Sequence, residues 1–219
     1  MLKAVAFDLD GTLLDTIPDI AGALNRALHT CGWPTHPVET CKTFVGNGIF
    51  NAIRRALPEE ATEDDVQRVN AVYQQEYISH CTEATAPYEG IGTLLSVLAE
   101  RGVPMCVLTN KEESTARVIM AHYFPDFPVD HVFGRVGDGP LKPDTKAAAP
   151  VLACTGLQPE EIAFVGDSGG TDMVFAVHTG MLPVAAPWGY RSREDLVAHG
   201  AQLVADDAAH LLQLLLEQL

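Results

Sequence analysis

The segment AVAFDLDGTLL, residues 4–14, decides how the rest of the chain is interpreted. It begins with a short continuous apolar run, which is typical of a buried strand. Asp8 and Asp10 follow two residues apart, so on an extended chain both side chains point the same way at the carboxyl end of that strand. Gly11 then permits a sharp turn. Because two close carboxylates do not both ionise easily without a cation, the segment predicts a shared proton or a bound metal.

Further short apolar runs predict more strands of the same kind. Helical patterns closed by Gly102, Gly156 and Gly180 lie between the later runs. The runs are Met105 to Leu108, His131 to Val136, Ile162 to Val165 and Leu182 to Ala185. Continuous apolar strands that alternate with helices predict an α/β fold with a doubly wound parallel sheet. In that class the functional site lies at the carboxyl ends of the strands.

Residues 16–85 break this rhythm. Their apolar residues recur at helical spacing without a convincing strand, in the groups Ile20, Leu24, Leu28; Ile49, Ile53, Leu57; and Val66, Val69, Tyr73, Tyr77. We therefore predict a core domain of residues 1–15 and 86–219 and an all-helical insert of residues 16–85. Because two connections carry the insert out of the core and back, we expect it to form a cap over an active site.

The composition excludes several classes of function. The 219 residues include 14 Lys and Arg against 29 Asp and Glu, which gives a formal net charge of −15. So acidic a protein does not favour nucleic acid or an anionic membrane as a partner, because both need a basic surface. The five cysteines are scattered and never spaced C-x-x-C, which argues against a disulfide framework and a structural zinc site. Since the apolar runs are too short for a signal peptide or a membrane span, we predict a cytoplasmic protein.

Polar residues follow three of the other predicted strands. Thr109–Asn110 follow the second strand, Lys142 follows the third after a short loop, and Asp167 follows the fourth. Considered alone, each of these residues is more commonly a helix cap or a solvated side chain than part of a functional site. Three residues in the loop after the last predicted strand could border the site, although packing or surface exposure is the more ordinary interpretation: Trp188, Tyr190 and Arg191. Because parallel strand ends converge on one crevice, we expect the hydroxyl, the lysine and the third carboxylate to join Asp8 and Asp10.

Together these segments resemble a known family. DLDGTLLDT, VLTN, LKPD and VGDS, in this order, are similar to the four signature motifs of the haloacid dehalogenase-like phosphohydrolases. The resemblance spans essentially the whole chain and implies a Rossmann-like core with an inserted C1-type cap. KTFVGNG (residues 42–48), TAPYEG (residues 85–90) and TNK (residues 109–111) look most like phosphoglycolate phosphatases. The resemblance therefore implies Mg²⁺-dependent hydrolysis of a small organic phosphate, with 2-phosphoglycolate as the best single candidate. It also implies that the protein is a monomer or a homodimer.

The resemblance also implies roles for the carboxylates. Asp8 would be the nucleophile that forms an aspartyl-phosphate, and a carboxylate nucleophile splits one difficult displacement into two steps. Asp10 would be the general acid and then the general base. Mg²⁺ would be bound by Asp8, the Asp10 main-chain carbonyl and Asp167, in agreement with its preference for oxygen ligands. Asp172 lies one residue beyond the commonest position of a second acid, and it would support the metal or orient the site lysine.

Phosphate and substrate contacts follow from the same resemblance. Thr109 and Lys142 would hold the phosphoryl oxygens, because positioned cations and donors do most of the work in phosphoryl transfer. Asn110 and the backbone of Leu9–Gly11 would assist them. If the substrate is 2-phosphoglycolate, the cap must recognise a carboxylate, and Arg54 or Arg55 is a candidate because guanidinium pairs with carboxylate in a bidentate manner. An exposed helix face is the other interpretation of these two arginines.

Several alternatives stay open at this point. The dehalogenase branch is expected to lack the second motif acid, so Asp10 favours a phosphatase. A phosphonoacetaldehyde hydrolase would need a cap lysine, yet no lysine lies between Lys42 and Lys111. The core motifs alone do not exclude a sugar-phosphate phosphatase or a β-phosphoglucomutase-like phosphomutase. A catalytically silent binding or regulatory protein is disfavoured by the intact set Asp8, Asp10, Thr109, Lys142 and Asp167.

Overall fold

The computed structural model describes residues 1–45 and 48–219. The middle of the KTFVGNG segment, Gly46 and Asn47, lies outside the described residues. The described chain divides into two compact units, one of residues 1–15 and 87–219 and the other of residues 16–86. We call them the sheet unit and the helical unit.

The sheet unit is built on a six-stranded parallel sheet. In spatial order its strands are β5 (Val132–Arg135), β4 (Met105–Glu112), β1 (Ala4–Phe7), β6 (Ile162–Gly166), β7 (Leu182–Ala185) and β8 (Leu203–Val204). The central strand β1 pairs with β4 on one side and β6 on the other, with Ala6 opposite both Cys106 and Phe164. The strand order thus reverses direction beside β1, where a doubly wound sheet forms its crevice. The predicted sheet is confirmed, whereas β8 was missed because it is a half-buried pair of residues without an apolar run.

Helices connect these strands and cover the sheet. They are α5 (Ile91–Glu100), α6 (Glu113–Tyr123), α7 (Ala149–Thr155), α8 (Val174–Thr179), α9 (Arg193–Ala198) and α10 (Ala208–Gln218). Single 3₁₀ turns occupy Val129–His131, Thr145–Ala148 and Pro159–Glu161, and a wide π turn occupies Gly169–Met173. The helical pattern that begins at Thr145 becomes α-helical only from Ala149, because Pro150 is tolerated in the first turn and not further inside.

The core of the sheet unit lies between the sheet and its helices. On one face Ala6 and Phe164 pack with Val151 of α7 and Phe175 of α8, and all four are fully buried. The rings of Phe164 and Phe175 meet edge to face at 5.1 Å between centroids. Since the central strands are buried on both faces, their sequences are continuously apolar, which is why they were recognisable in the sequence.

The helical unit contains α1 (Ile17–Thr30), α2 (Val38–Phe44), α3 (Ile49–Ala56) and α4 (Glu63–His80). Helix α4 begins with a capping box in which Thr62 and Asp65 satisfy each other's backbone N–H groups. The buried Asp19 carboxylate of α1 accepts hydrogen bonds from the N–H groups of Ala84 and Thr85, which anchors the end of this unit. The connecting segments carry two short paired strands, β2 (Leu14–Asp15) and β3 (Ala86–Pro87). Within the described ranges no helix combines the length and the apolar character that a membrane span needs.

Candidate active site

The site is centred on the turn that follows β1. The Asp8 N–H donates to the Val165 carbonyl at 2.8 Å, so the sheet ladder itself fixes the start of the turn. The Leu9 carbonyl then accepts hydrogen bonds from the N–H groups of residues 12, 13 and 14, which folds the chain back at once. Gly11 makes this turn with φ +85°, and a Cβ there would lie 2.3 Å from Asp167 Oδ2. Only glycine lets the two carboxylate-bearing turns approach so closely.

Lys142 is the buried cation of the site, and its side chain connects two carboxylates. Its Nζ lies 2.8 Å from Asp8 Oδ1 and 2.8 Å from Asp172 Oδ1, and the residue is only 2% exposed. Burial alone would lower the pKa of Lys142, but the negative charges of Asp172 and Asp8 outweigh it and raise that pKa above its ordinary value. Lys142 is therefore a charged ammonium at neutral pH.

Asn110 holds the backbone of this lysine. Its Oδ1 accepts from the Lys142 N–H at 2.8 Å and its Nδ2 donates to the Lys142 carbonyl at 2.9 Å. These contacts tie Asn110 to the Lys142 backbone, and its predicted assistance in phosphate binding stays a prediction. Asn110 therefore positions Lys142, and no sequence pattern signals such a reciprocal pair.

Three buried carboxylates converge beside the ammonium group. Asp8, Asp167 and Asp172 each offer one oxygen, and these oxygens lie within 4.8 Å of one another. Burial raises the pKa of Asp8 to about 7, with Lys142 opposing the shift and Asp172 adding to it. Burial, followed by the charges of Asp172 and Asp8, also raises the pKa of Asp167 well above its ordinary value. Three carboxylates around one ammonium group leave an excess of negative charge, and oxygen donors suit Mg²⁺, so the donor set fits this cation.

Asp172 is held from both sides. Its Oδ1 contacts Lys142, and its Oδ2 accepts from the Ser168 N–H at 3.0 Å. It lies in the wide turn Gly169–Met173 that follows β6, and a Cβ on Gly166 would meet the Asp172 Cβ at 2.4 Å. Of its two predicted roles, metal support and orientation of the lysine, the second has a direct contact in the structure.

Asp167 is held by the segments after β1 and β7. The Tyr190 N–H donates to its Oδ2 at 2.7 Å, and the Thr12 hydroxyl donates to its Oδ1 at 3.4 Å. The Trp188 indole N–H donates to the Thr12 carbonyl at 3.1 Å, which ties the two segments together. Of the two interpretations of Trp188 and Tyr190 from the sequence, these contacts favour a position bordering the site. The decisive donor of Tyr190 is a backbone N–H, which carries no sequence signature.

Asp10 faces a second lysine. Its Oδ1 lies 2.8 Å from Lys111 Nζ, and both side chains are largely buried, at 16% and 8% exposure. Lys111 was noticed within the TNK segment but was given no role. Its position two residues after Thr109 on β4 was the available signal, because residues two apart on a strand share a face. Phe7 of β1 pairs with Val107 of β4, so Thr109 lies beside the turn that follows β1. Thr109 is buried, and its hydroxyl accepts a hydrogen bond from the Lys111 N–H at 3.3 Å.

Comparison with known proteins identifies the architecture around these residues. The sequence profile of the haloacid dehalogenase-like hydrolases matches residues 5–186. The chain belongs to this family. It is 36% identical to a phosphoglycolate phosphatase of Chromobacterium violaceum, over 98% of this chain and 96% of that one. A phosphoglycolate phosphatase of Pseudomonas putida is 33% identical over 96% of this chain and 78% of its own. The crystal structure of a proposed phosphoglycolate phosphatase from Lactobacillus delbrueckii subsp. bulgaricus superposes with a TM-score of 0.88 at 30% identity, covering 97% of each chain.

In this haloacid dehalogenase-like hydrolase, the predicted assistance of the Leu9–Gly11 backbone in phosphate binding stays a prediction. The Gly11 N–H donates to the Leu14 carbonyl at 2.8 Å, so this donor is used within the turn. Leu9, the other predicted backbone contact, is fully buried, and its carbonyl is the acceptor on which the turn closes.

The predicted cap arginines of this hydrolase lie in the helical unit. Arg54 and Arg55 end helix α3, and both side chains are exposed. Arg54 forms an ion pair with Glu63, and Arg55 donates from Nη1 to the Phe44 carbonyl at 2.8 Å. Their recognition of a substrate carboxylate stays a prediction.

Proposed function

We propose that this hydrolase is a Mg²⁺-dependent phosphomonoesterase of small organic phosphates, with 2-phosphoglycolate as its preferred substrate. The observation that carries the proposal is the Asp8 carboxylate, buried at the end of β1, 2.8 Å from Lys142 and clustered with Asp167 and Asp172. The relatives that are 36% and 33% identical to this chain are phosphoglycolate phosphatases, which supports the choice of substrate.

Asp8 is the proposed nucleophile. Its carboxylate attacks phosphorus, the bond to the leaving oxygen breaks, and an aspartyl-phosphate forms and is later hydrolysed by water. The Lys142 ammonium is close enough to Asp8 to meet the phosphoryl oxygens, and Asp172 and Asn110 keep it there. The Thr109 hydroxyl, at the end of the neighbouring strand, is a further donor. The Lys142 ammonium and the Thr109 hydroxyl would thus stabilise the negative charge that spreads over the phosphoryl oxygens during the reaction.

The metal would be held by Asp8, Asp167 and the main-chain carbonyl of Asp10. Asp172 would support the site through its contact with Lys142. Bound there, Mg²⁺ supplies positive charge both to the carboxylates and to the phosphoryl group. The Tyr190 N–H and the Thr12 hydroxyl fix the orientation of Asp167, as hydrogen-bonding partners of metal ligands do.

Asp10 is the proposed proton carrier. It gives a proton to the leaving alkoxide in the first step and takes one from water in the second. The contact with Lys111 fixes the place of its carboxyl group. Its side chain emerges two residues after Asp8 on the same turn, so donor and nucleophile are held in register by the backbone.

Phosphate release after substitution of the nucleophile tests the proposal. Asp8→Asn should lower the rate with 2-phosphoglycolate and Mg²⁺ by at least about 10³-fold, since removal of a nucleophile eliminates the covalent route. Asp126→Asn, at an exposed position of the sheet unit, is the matched control and should keep the wild-type rate. Chelation should abolish the wild-type rate and added Mg²⁺ should restore it. Full activity of Asp8→Asn would remove Asp8 as nucleophile.

A substrate panel tests the finer claim. The rate constant kcat/KM should be highest for 2-phosphoglycolate among sugar phosphates, nucleotides and pyrophosphate. We further propose that the helical unit acts as the cap that selects the substrate, with Arg54 or Arg55 meeting its carboxylate. Arg54→Ala or Arg55→Ala should then raise KM for 2-phosphoglycolate, whereas Arg68→Ala, at an exposed position of α4, should not. Isomerisation of a hexose phosphate in place of hydrolysis would instead support the phosphomutase alternative.

A further inference from the structure

A second group of metal-ligating side chains lies near the amino end of β4 and shares no residue with the carboxylate cluster. Cys106 is near the amino end of β4, His131 directly precedes β5, and Cys154 is near the carboxyl end of α7. One potential ligand atom from each residue lies within 4.8 Å of the other two. The sequence spacing argued against a zinc site because the three residues come from separate elements, which only the fold brings together.

The three residues form a path from the surface to the core. Cys154 is exposed, His131 is partly exposed, and Cys106 is buried at 1% exposure within the cluster that also contains Ala6 and Val151. A cation from solvent therefore meets an accessible thiol first and finds a second sulfur at the bottom of the group. The exposed side leaves room for a ligand from solvent.

A hydrogen bond to the backbone fixes the tautomer of His131. Its Nδ1 lies 3.0 Å from the Met105 carbonyl, and since a carbonyl only accepts, Nδ1 carries the hydrogen. The neutral ring then has its lone pair on Nε2. Metal-binding histidines commonly donate their other ring N–H to a carbonyl in this way, which fixes both tautomer and ring orientation.

We propose that Cys106, His131 and Cys154 form a binding site for a thiophilic divalent cation of the Zn²⁺ class, with a solvent molecule as fourth ligand. Two thiolates and a neutral imidazole balance the charge of one divalent ion. Tetrahedral bonds of about 2.3 Å to sulfur place two sulfurs roughly 3.8 Å apart, so atoms already within 4.8 Å need only small shifts. Mg²⁺ does not compete here because it requires oxygen ligands, which the carboxylate cluster provides.

Binding at this site joins three elements of the sheet unit: β4, the turn before β5, and α7. A cation that binds the folded chain and not the dispersed ligands raises the midpoint of thermal unfolding, because it adds a free energy that grows with the logarithm of its free concentration over its dissociation constant. The site shares no residue with the proposed catalytic groups, although β4 carries both Cys106 and, three residues later, Thr109. We therefore expect a cation bound here to stabilise the fold and not to be needed for phosphatase activity.

Co²⁺ titration of the full-length protein tests the site. The protein is kept reduced under anaerobic conditions with Mg²⁺ in excess, so that the carboxylates are filled. Sulfur ligands give a thiolate-to-cobalt charge-transfer band in the near ultraviolet, which oxygen ligands cannot give. Wild-type protein should show this band at one equivalent of Co²⁺, and one equivalent of Zn²⁺ should displace it.

Single substitutions separate this site from the other thiols. Cys154→Ser and His131→Gln should each weaken Co²⁺ binding by more than the roughly 10–100-fold that loss of a ligand's hydrogen-bonding partner costs. Both residues have solvent access, so folding is retained, as circular dichroism verifies. Cys31→Ser, a cysteine of the helical unit, is the matched control and should keep the band. Absence of the band in wild-type protein, or its persistence in both Cys154→Ser and His131→Gln, would overturn the proposal.

Discussion

Asp8 and Asp10 differ in the cation that each one meets. Asp10 pairs with Lys111, whereas Asp8 shares Lys142 with Asp172. Two carboxylates separated by one residue are thereby given different electrostatic surroundings, and such a difference is what divides a pair of acids into nucleophile and proton carrier. The division can be tested one step at a time, because a good leaving group needs no proton.

We predict that Asp10→Asn separates the two steps of the reaction. With 4-nitrophenyl phosphate the nitrophenolate leaves unprotonated, so Asp8 is still phosphorylated and one equivalent of nitrophenolate appears in a burst. The second step then slows by about 10²–10⁴-fold because no base activates water. With 2-phosphoglycolate the first step is slowed as well, and no burst appears. Rapid-quench and stopped-flow measurements distinguish these cases, with Asp8→Asn as the variant that gives no burst with either substrate.

At the scale of elements, the loop after β7 closes the site through contacts that leave no room for a side chain. A Cβ on Gly189 would lie 2.2 Å from the Gly11 carbonyl oxygen and 2.4 Å from the Asp167 Cβ. Both neighbours are part of the turns that carry the carboxylates, so they cannot move without moving the site. The next residue, Tyr190, supplies the backbone N–H that orients Asp167.

We predict that Gly189→Ala weakens the binding of Mg²⁺ and leaves the protein folded. Displacement of this loop removes a hydrogen-bonding partner of a metal ligand, so the Mg²⁺ concentration for half-maximal activity should rise about 10–100-fold. Gly92→Ala is the control, because its Cβ on α5 meets no atom within 4 Å. Calorimetric titration with Mg²⁺ checks the result, and equal affinities in the two variants would contradict the steric argument.

The elements were predictable from the sequence wherever burial fixed the residue types. The central strands β1, β4 and β6 are covered on both faces, so their apolar runs were visible, and parallel pairing then brought Asp8, Lys142 and Asp167 to one edge. What the sequence could not reveal depends on backbone donors and on reciprocal contacts between distant segments. The bond from Tyr190 to Asp167 and the clamp of Asn110 on Lys142 are of this kind. Neither contact requires a particular spacing of residue types, so no sequence pattern predicts it.

At the scale of the whole molecule, a net charge of −15 at first opposes binding of a phosphate ester. Locally the charges cancel, because one Mg²⁺ and the Lys142 ammonium together balance the carboxylates of Asp8, Asp167 and Asp172. Surface charges beyond about 8 Å are screened at physiological salt. Repulsion of the substrate therefore depends on whether the metal is bound, and so does the stability of the site.

We predict that Mg²⁺ stabilises the fold far more at about pH 8 than at about pH 5. The pKa of Asp8 is raised by burial from 3.8 in the unfolded chain to about 7 in the metal-free fold. The metal-free fold therefore holds a proton that the unfolded chain has lost, and stability falls between these values as pH rises, by up to about 1.4 kcal/mol per pH unit for each such group. The raised pKa of Asp167 acts in the same direction. Mg²⁺ replaces these protons, so its stabilising effect grows over the same range.

Thermal unfolding at the two pH values, in chelator and in excess Mg²⁺, measures this difference. In chelator the unfolding midpoint of wild-type protein should be lower at about pH 8 than at about pH 5, and Mg²⁺ should remove most of the deficit. Asp8→Asn puts a neutral amide in place of the titrating group, so the deficit in chelator should shrink, while the exposed Asp126→Asn should behave as wild type. The lower limit of about pH 5 keeps most exposed carboxyls ionised, and because the eight histidines also titrate in this range, the comparison with Asp8→Asn isolates the contribution of Asp8. Equal midpoints in chelator at both pH values would show that the buried carboxylates are compensated without a cation.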